Sequence, residues 1–303
     1  MSRIDEAWRR ASGQEVAEEP LVQSIVPAPR AFAADDTILA RYVVEQTVSV
    51  SRPVQRERSH PIVSTSHERT VGVPPVVASS ARGKLVVTPE IEPASIEQYR
   101  RLAATLDGLQ SEGGLKSLMV SSALPREGKT LTVANLALTL SESYRRKVLL
   151  IDADFHRPSV HELFGIANSA GLAGALHSSD GRWQPIQMSA TLSVLPAGRI
   201  DDSATAALSS DRLRNLVASA ASSFDWVLLD TPPVGMLTDA HLVARATDGV
   251  LFVIAAGMTP YALVQRSLNE IGKDRIVGTV LNRIEEHALP VRDYYHRQYS
   301  GQS

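Results

Sequence analysis

Residues 123–130 have the composition and spacing of a loop that binds phosphate groups. The apolar run Leu118–Val120 precedes this loop, which ends in Gly128-Lys129-Thr130 and leads directly into an apolar helical pattern. In such a strand–loop–helix arrangement, backbone N–H groups and the positive end of the helix bind phosphate oxygens. We expect Lys129 to reach the β- and γ-phosphates of a nucleotide and the Thr130 hydroxyl to bind Mg²⁺.

The loop departs at one position from the usual G-x-x-x-x-G-K-[ST] pattern, because Ala123 stands in the place of the first glycine. A side chain this small still lets the backbone approach the phosphates. The alternative is an ordinary strand-to-helix turn with a chance Gly-Lys-Thr, and the flanking apolar pattern argues against it. The predicted ATP-binding residues are those of the whole loop: Ala123, Leu124, Pro125, Arg126, Glu127, Gly128, Lys129 and Thr130.

Three aspartates follow apolar segments further along the chain. Asp152 and Asp154 come after VLLI at 148–151, and Asp230 follows WVLL at 226–229. A carboxylate just beyond a buried strand, near a phosphate-binding loop, is suited to Mg²⁺. Of two carboxylates spaced by one residue, one can bind the metal while the other accepts a proton. The alternative for each aspartate is a helix N-cap.

The elements that must position these residues alternate between strands and helices. Further apolar runs, typical of strands buried on both faces, lie at 194–195, 250–255 and 276–281. Helical spacing appears at 130–142, 211–221, 240–246 and 260–271. The predicted fold class is α/β, a P-loop NTPase-like parallel sheet with helices on both faces. In this architecture the ligand binds at the carboxyl ends of the strands.

The folded part of the chain is expected to begin near Pro93. Ser95 and Gln98 match a capping box, the sequence pattern that starts many helices. Apolar residues at helical spacing follow, and Gly113-Gly114 is expected to end this helix.

The first part of the chain has a different composition. Residues 12–93 contain nine of the 17 prolines and only two aromatic residues, Phe32 and Tyr42. Such a segment buries too little apolar surface to offset its ordering entropy. We therefore predict three regions: a disordered Pro-rich segment at 1–93 in which residues 3–11 have the spacing of one short helix, a folded domain at 94–288, and a flexible tyrosine-containing tail at 289–303.

Composition excludes several classes of protein. The 303 residues are 44% apolar, which is enough for a sizeable core, and the net charge of −2 argues against nucleic acid as a partner. The absence of cysteine excludes disulfides and iron–sulfur clusters. The longest apolar run, 250–256, is too short to span a membrane, and the N-terminus MSRIDEAWRR lacks the apolar core of a signal peptide. We expect a cytoplasmic chain.

Three segments, in their order along the chain, resemble the Walker A, Walker A′ and Walker B motifs of the bacterial tyrosine kinases. They are SSALPREGKT at 121–130, LLIDADFHRPSVHELF at 149–164 and VLLDTPPVGMLTDA at 227–240. The resemblance covers about residues 94–303. It implies an ATP- and Mg²⁺-dependent autokinase that phosphorylates its own C-terminal tyrosines and regulates exopolysaccharide or capsule biosynthesis and export. The MSRIDEA start is similar to that of soluble autokinases paired with exopolysaccharide export systems.

The resemblance implies a role for each matching residue of the site. Lys129 and Thr130 would hold phosphate and Mg²⁺. Asp152 and Asp154 would supply a metal ligand and the base for an incoming tyrosine hydroxyl, and Asp152 is favoured as the base. The implied metal ligands are Thr130, Asp154 and, through water, Asp230.

Two further expectations come from the resemblance near the end of the chain. Asn282 resembles the adenine-reading asparagine of related phosphate-loop ATPases, and a plain turn residue is the alternative. Tyr294, Tyr295 and Tyr299 are the implied phosphoacceptors, modified in trans by another copy of the chain.

Assembly and partners are expectations of the same kind. The family's oligomerisation helix carries Glu-x-x-Arg-x-x-Arg, which Glu97 and Arg100 match, but Ala103 stands in the third place with Arg101 nearby. The sequence therefore does not decide whether this chain forms a homo-oligomer of the family's ring type. The family also implies a membrane-embedded chain-length or co-polymerase activator, which recruits the kinase to the inner face of the membrane.

The main alternative is a ParA/MinD-type partitioning or positioning ATPase, which shares the sheet and the loop. Such ATPases carry an extra lysine just after the first glycine of the loop, where this chain has Leu124. Another alternative is a non-enzymatic module that senses ATP. Its catalytic positions would be lost, whereas here they are all present.

Overall fold

The structure is a computed structural model that describes residues 84–88, 91–169, 171–178, 182–200, 207–208, 211–235 and 239–284. The predicted helix at 3–11 and the tail at 289–303 lie outside the described residues. Most of the predicted disordered segment lies outside them as well.

The described residues form one seven-stranded sheet in the order β3-β4-β2-β5-β1-β6-β7. The strands are β1 (Ser117–Ser122), β2 (Val148–Asp152), β3 (Ile186–Gln187), β4 (Leu192–Leu195), β5 (Trp226–Asp230), β6 (Gly249–Ala255) and β7 (Ile276–Asn282). Neighbouring strands are parallel, except that the two residues of β3 pair antiparallel with β4. The predicted parallel sheet is confirmed, with β5 at its centre and β1 between β5 and β6.

The helices connect the strands. They are α1 (Pro93–Gly113), α2 (Lys129–Glu142), α3 (Val160–Phe164), α4 (Leu172–His177), α5 (Asp211–Ser223), α6 (Asp239–Ala246) and α7 (Tyr261–Ile271), and a 3₁₀ turn covers Lys273–Arg275. No helix within the described ranges is both long and apolar enough to cross a bilayer.

Two apolar layers hold the helices against the two faces of the sheet. Leu106 of α1, Leu136 of α2 and Phe164 of α3 pack in one layer with alternate residues of the central strands. Side chains of α4, α5, α6 and α7 pack in the other layer with the intervening strand residues. Strands covered on both faces need apolar side chains at every position, which explains the continuous runs such as VLLI and WVLL.

Helix α1 begins two residues before the predicted capping box. Glu92 is its N-cap residue, Pro93 follows at the first helical position, and the side chain of Glu92 makes no capping hydrogen bond. The capping box at Ser95 is therefore wrong, because a proline that lacks an N–H is already suited to start a helix. The predicted end is confirmed, since Gly114 has a φ of 70° and its N–H bonds to the carbonyl of Gln110.

Residues 84–88 pack against the folded domain, earlier than the boundary predicted at residue 94. Leu85 is fully buried in the layer that contains α1 and α2. The amide of Asn135 in α2 holds this segment at both sides of Leu85: Oδ1 accepts from the N–H of Val86 at 2.9 Å, and Nδ2 donates to the carbonyl of Lys84 at 2.9 Å. This contact could not be predicted from composition, because the contact depends on a single apolar side chain and one amide.

Candidate active site

The phosphate-binding loop connects β1 to the first residue of α2, Lys129. Gly128 has a φ of 96°, and a Cβ atom at this position would lie 2.0 Å from Nδ2 of Asn282. Only glycine fits such a turn, because left-handed backbone and the close side chain both exclude a Cβ. The same Asn282 amide donates a 2.8 Å hydrogen bond to the carbonyl of Glu127. The end of β7 therefore contacts the loop directly, so Asn282 is not a plain turn residue.

The strands bring the predicted site residues to one edge of the sheet. Asp152 at the end of β2 lies opposite Asp230 at the end of β5 in the strand register. The Lys129 ammonium and the Thr130 hydroxyl are close enough to Asp230 to lower its pKa. From the loop after β2, Ser159 Oγ donates to Thr130 Oγ1 at 3.2 Å.

Asp152 is fully buried, and backbone N–H groups bind both of its oxygens. Oδ1 accepts from Asp154 at 3.2 Å, and Oδ2 accepts from Ser159 and Val160 at 3.0 Å each. Burial raises the pKa of Asp152 to about 6, these N–H groups oppose the rise, and the neighbouring Asp154 carboxylate adds to it. The carboxyl group therefore shapes the loop after β2 and is more basic than an ordinary aspartate.

Asp230 is fully buried, and neither of its oxygens accepts a hydrogen bond from the residues described here. Burial raises the pKa of Asp230 to about 8, and the Asp152 carboxylate adds to the rise, while the Lys129 ammonium and the Thr130 hydroxyl oppose it. A buried carboxylate that accepts no hydrogen bond is costly, and the nearby Lys129 ammonium offsets only part of that cost. A cation or its bound water would satisfy both oxygens.

The donor groups at this edge suit Mg²⁺ that is shared with a nucleotide. They are carboxylate and hydroxyl oxygens, which hard cations prefer. Within the described ranges, no group of three or more His, Cys, Asp or Glu residues could hold a metal ion. Mg²⁺ keeps several waters and needs only one or two protein carboxylates when phosphates supply the remaining ligands. The residues therefore fit nucleotide-bound Mg²⁺ better than a metal cage made by protein alone.

Asp154 and the residues after it form a second small network. Asp154 Oδ1 accepts from the N–H groups of His156 at 3.2 Å and Arg157 at 3.0 Å. The ring of His156 reaches across to α6, where its Nε2 lies 2.9 Å from Oδ2 of Asp239. The contacts of Asp239 and of the Glu127 side chain could not be predicted from the sequence. Both residues lie inside the matched segments, but their contacts join distant parts of the chain and leave no local pattern.

The helix that resembles the family's oligomerisation helix presents only part of that motif. On the exposed side of α1, Glu97 lies 3.8 Å from Arg100 and 3.8 Å from Arg101. Ala103 is fully buried in the apolar layer beneath the helix. Glu97 and Arg100 therefore form an intrahelical pair here, and position 103 offers nothing to a neighbouring subunit.

Comparison with known proteins identifies the family. A family model described as ParA: NUBPL iron-transfer P-loop NTPase matches residues 116–282. Tyrosine-protein kinase YwqD of Bacillus subtilis (strain 168) is 33% identical over 205 residues, which cover 65% of this chain and 86% of YwqD. The chain belongs to the bacterial tyrosine kinases. The ParA match shows that this tyrosine kinase has the P-loop NTPase fold, and the match to YwqD favours kinase activity over the partitioning ATPase.

Two further comparisons extend this result. The kinase domain of Escherichia coli tyrosine kinase ETK superimposes with a TM-score of 0.60 and 27% identity, covering 75% of this tyrosine kinase and 86% of that structure. Succinoglycan biosynthesis transport protein ExoP of Rhizobium meliloti (strain 1021) is 30% identical over 201 residues, or 64% of this chain. The chain spans only 25% of ExoP, so the match concerns about a quarter of that protein.

Proposed function

We propose that this tyrosine kinase is an ATP- and Mg²⁺-dependent autokinase that phosphorylates its own C-terminal tyrosines in trans and thereby regulates exopolysaccharide biosynthesis and export. The observation that carries the proposal is the convergence of Lys129, Thr130, Asp152 and Asp230 at one edge of the sheet. Positioning and electrostatic stabilisation supply most of the catalysis in phosphoryl transfer, and these four residues provide both.

The loop and its lysine bind the nucleotide in this proposal. Loop N–H groups and the Lys129 ammonium hold the β- and γ-phosphates. Thr130, Asp154 and, through water, Asp230 would hold Mg²⁺, which when bound neutralises charge that develops on the phosphates. The buried oxygens of Asp230 support this assignment because no residue in the described ranges donates a hydrogen bond to either of them.

We assign Asp152 as the base. The tyrosine oxygen bonds to the γ-phosphorus as the bond to the ADP oxygen breaks, and Asp152 takes the tyrosyl proton. A pKa raised to about 6 supports this role, because a base works best when its pKa lies near the working pH. Since Asp152 is fully buried, the loop after β2 must move before a tyrosine hydroxyl reaches it.

The described tyrosines are poor acceptors compared with the tail. The Tyr144 hydroxyl donates to the carbonyl of Arg100, and the Tyr261 hydroxyl accepts from Gln265. Burial raises the pKa of Tyr99, whose hydroxyl faces Asn135 and Thr132. Three of the seven tyrosines, Tyr294, Tyr295 and Tyr299, lie among the last ten residues, where most of the other residues in the sequence are polar.

Mass spectrometry after incubation with ATP and Mg²⁺ tests this proposal. Phosphate is expected at Tyr294, Tyr295 and Tyr299, and the triple Tyr→Phe variant should lose nearly all labelling. A Tyr144→Phe variant is the matched control and should label like the parent. Mixing a Lys129→Met chain with the triple variant should restore labelling, because transfer in trans joins one chain's intact site to another chain's tail. Phosphate confined to Tyr99, Tyr144 or Tyr261 would contradict the proposal.

Each phosphate adds about −1.5 to −2 charges, so a modified tail repels its neighbours. If copies of the chain associate through their tails, phosphorylation should shift them toward monomers. Light scattering before and after ATP treatment measures this shift. A monomer in both states, with full activity, would remove homo-oligomerisation from the proposal.

A membrane-embedded co-polymerase is the partner that we propose. The match to ExoP, a protein named for succinoglycan transport, supports it. Such a protein would recruit the kinase to the inner face of the membrane and stimulate transfer by closing the loops around the nucleotide. Fractionation of cells with and without the export system tests recruitment. A kinase that stays in the soluble fraction in both strains would exclude it.

A further inference from the structure

The side chain of Glu127, in the middle of the phosphate-binding loop, points into the protein and is almost fully buried. Its Oε2 accepts from the N–H of Leu124 at 2.6 Å, within the loop itself. Its Oε1 accepts from the N–H of Ala255 at 3.4 Å and from the hydroxyl of Thr259. Ala255 ends β6, and Thr259 lies in the connection from β6 to α7. One carboxylate therefore joins this connection to the phosphate-binding loop.

These contacts satisfy a group that is costly to bury alone. A carboxylate removed from water needs several donors to offset its lost hydration. Glu127 has three, and two of them lie more than a hundred residues away in the chain. Two more side chains, at and just after the end of β7, hold the same loop: Asn282 donates to the carbonyl of Glu127 at 2.8 Å, and Arg283 donates to the carbonyl of Arg126 at 2.7 Å.

We infer that Glu127 is a positioning residue, which fixes the shape of the phosphate-binding loop and couples it to the β6–α7 connection around Thr259. The carboxylate accepts from Leu124 within the loop and from Ala255 and Thr259 outside it, and so ties the loop to this connection. Loop residues held in place before the nucleotide arrives lose less entropy when it binds. This inference rests on the proposed nucleotide site, but not on the phosphorylation of the tail.

Calorimetry with Mg²⁺-ADP tests the inference, because ADP binding requires neither transfer nor a tyrosine. Glu127→Ala should raise the Kd for ADP about tenfold, since a charge-assisted hydrogen bond to the backbone is lost. Thr259→Val removes one donor from the other loop and should raise Kd by about threefold. Glu127→Gln should raise Kd by about threefold, less than Glu127→Ala, because its carbonyl oxygen still accepts from Leu124 and its amide can donate to Thr259, while the N–H of Ala255 loses its acceptor.

Asp248→Ala is the matched control. Asp248 binds the N–H groups of Lys116 and Ser117 at the opposite end of β1, so its loss should lower the melting temperature without changing Kd. A Glu127→Ala variant that melts earlier but binds ADP within twofold of the parent would show a merely structural role and overturn the inference. If the alanine variant does not fold, Thr259→Val decides: a threefold rise in Kd supports the coupling, and an unchanged Kd overturns it.

Kinetics supply a second readout. The KM for ATP of Glu127→Ala should rise in parallel with Kd, while kcat stays within about twofold, because the residue does not touch the reacting atoms. A fall in kcat with an unchanged KM would contradict a role in positioning the loop for binding.

Discussion

Aspartates occupy both ends of the sheet, but the two ends treat them differently. At the amino ends of the strands, Asp248 accepts from the N–H groups of Lys116 and Ser117 at 3.0 and 2.7 Å and from the Ser117 hydroxyl at 2.8 Å. Asp107 forms a two-bond pair with Arg146, at 2.8 Å for each bond. At the carboxyl ends, Asp230 is buried with no hydrogen bond to any described residue.

This difference separates residues that stabilise the fold from residues kept ready for a ligand. A carboxylate that accepts several hydrogen bonds, such as Asp248 or Asp107, stabilises the folded state. A buried carboxylate without donors destabilises that state, and such groups cluster at functional sites. Asp152 is intermediate, because backbone N–H groups bind both of its oxygens while burial still raises its pKa to about 6.

The largest effect should come from the lysine at the carboxyl end. Lys129→Met should lower phosphotransfer by roughly 10³-fold, because the lysine charge is needed on the transferred phosphoryl group. Its fold should be unchanged by circular dichroism. Lys116, which is exposed at the amino end and donates to the carbonyl of Ala221, gives the control. Lys116→Met should keep parental activity, and an active Lys129→Met would invalidate the site.

Asp230→Asn should have opposite effects on activity and on stability. Phosphotransfer should fall by roughly 10²-fold and require more Mg²⁺, since the amide is a weaker ligand. The metal-free protein should become more stable at pH 8 to 9, with a melting temperature about 5 °C higher. The free energy of unfolding rises because the neutral amide replaces a buried charge.

The pH dependence follows from the sign of the shift. Burial raises the pKa of Asp230 in the folded protein to about 8, well above its value of about 3.9 in the unfolded chain. The folded state therefore binds the proton more tightly, and the stability this provides is lost as the pH rises through about 8. Without metal, the melting temperature of the parent should fall between pH 5 and pH 9, and that of Asp230→Asn should fall less. Equal slopes for the two proteins would contradict the shift.

The smallest effect should come from the ion pair at the amino end. Arg146→Met should lower the free energy of unfolding by about 1 kcal/mol or less, because both partners are partly exposed to water. That corresponds to a shift of about 2–4 °C in melting temperature. Activity should not change, and added salt should reduce the difference between parent and variant. A loss of phosphotransfer in this variant would show that the two ends are coupled.

Most of the fold, and the placement of the loop residues and three aspartates, could be predicted from the sequence. Runs such as VLLI indicate strands buried on both faces, and parallel strands bring their carboxyl ends to one edge, so Asp152 and Asp230 were expected at the same edge. That β2 and β5 are neighbours, which places the two aspartates opposite each other, is known only from the structure. The start of α1 was mispredicted because two start signals, Pro93 and Ser95, lie two residues apart. The buried contacts of Glu127 with Thr259 and of His156 with Asp239 join distant segments. Contacts between distant segments leave no repeating pattern in the sequence, so only the three-dimensional structure reveals them.

The attachment of residues 84–88 to α2 determines where this kinase can be shortened. A chain trimmed to begin at Pro93 would lose Leu85, exposing the apolar surface beneath it, and would leave the Asn135 amide without its two backbone partners. The newly exposed apolar surface favours aggregation during expression. A version that begins before Lys84 keeps the segment in place, and a fusion partner or purification tag is best joined upstream of it.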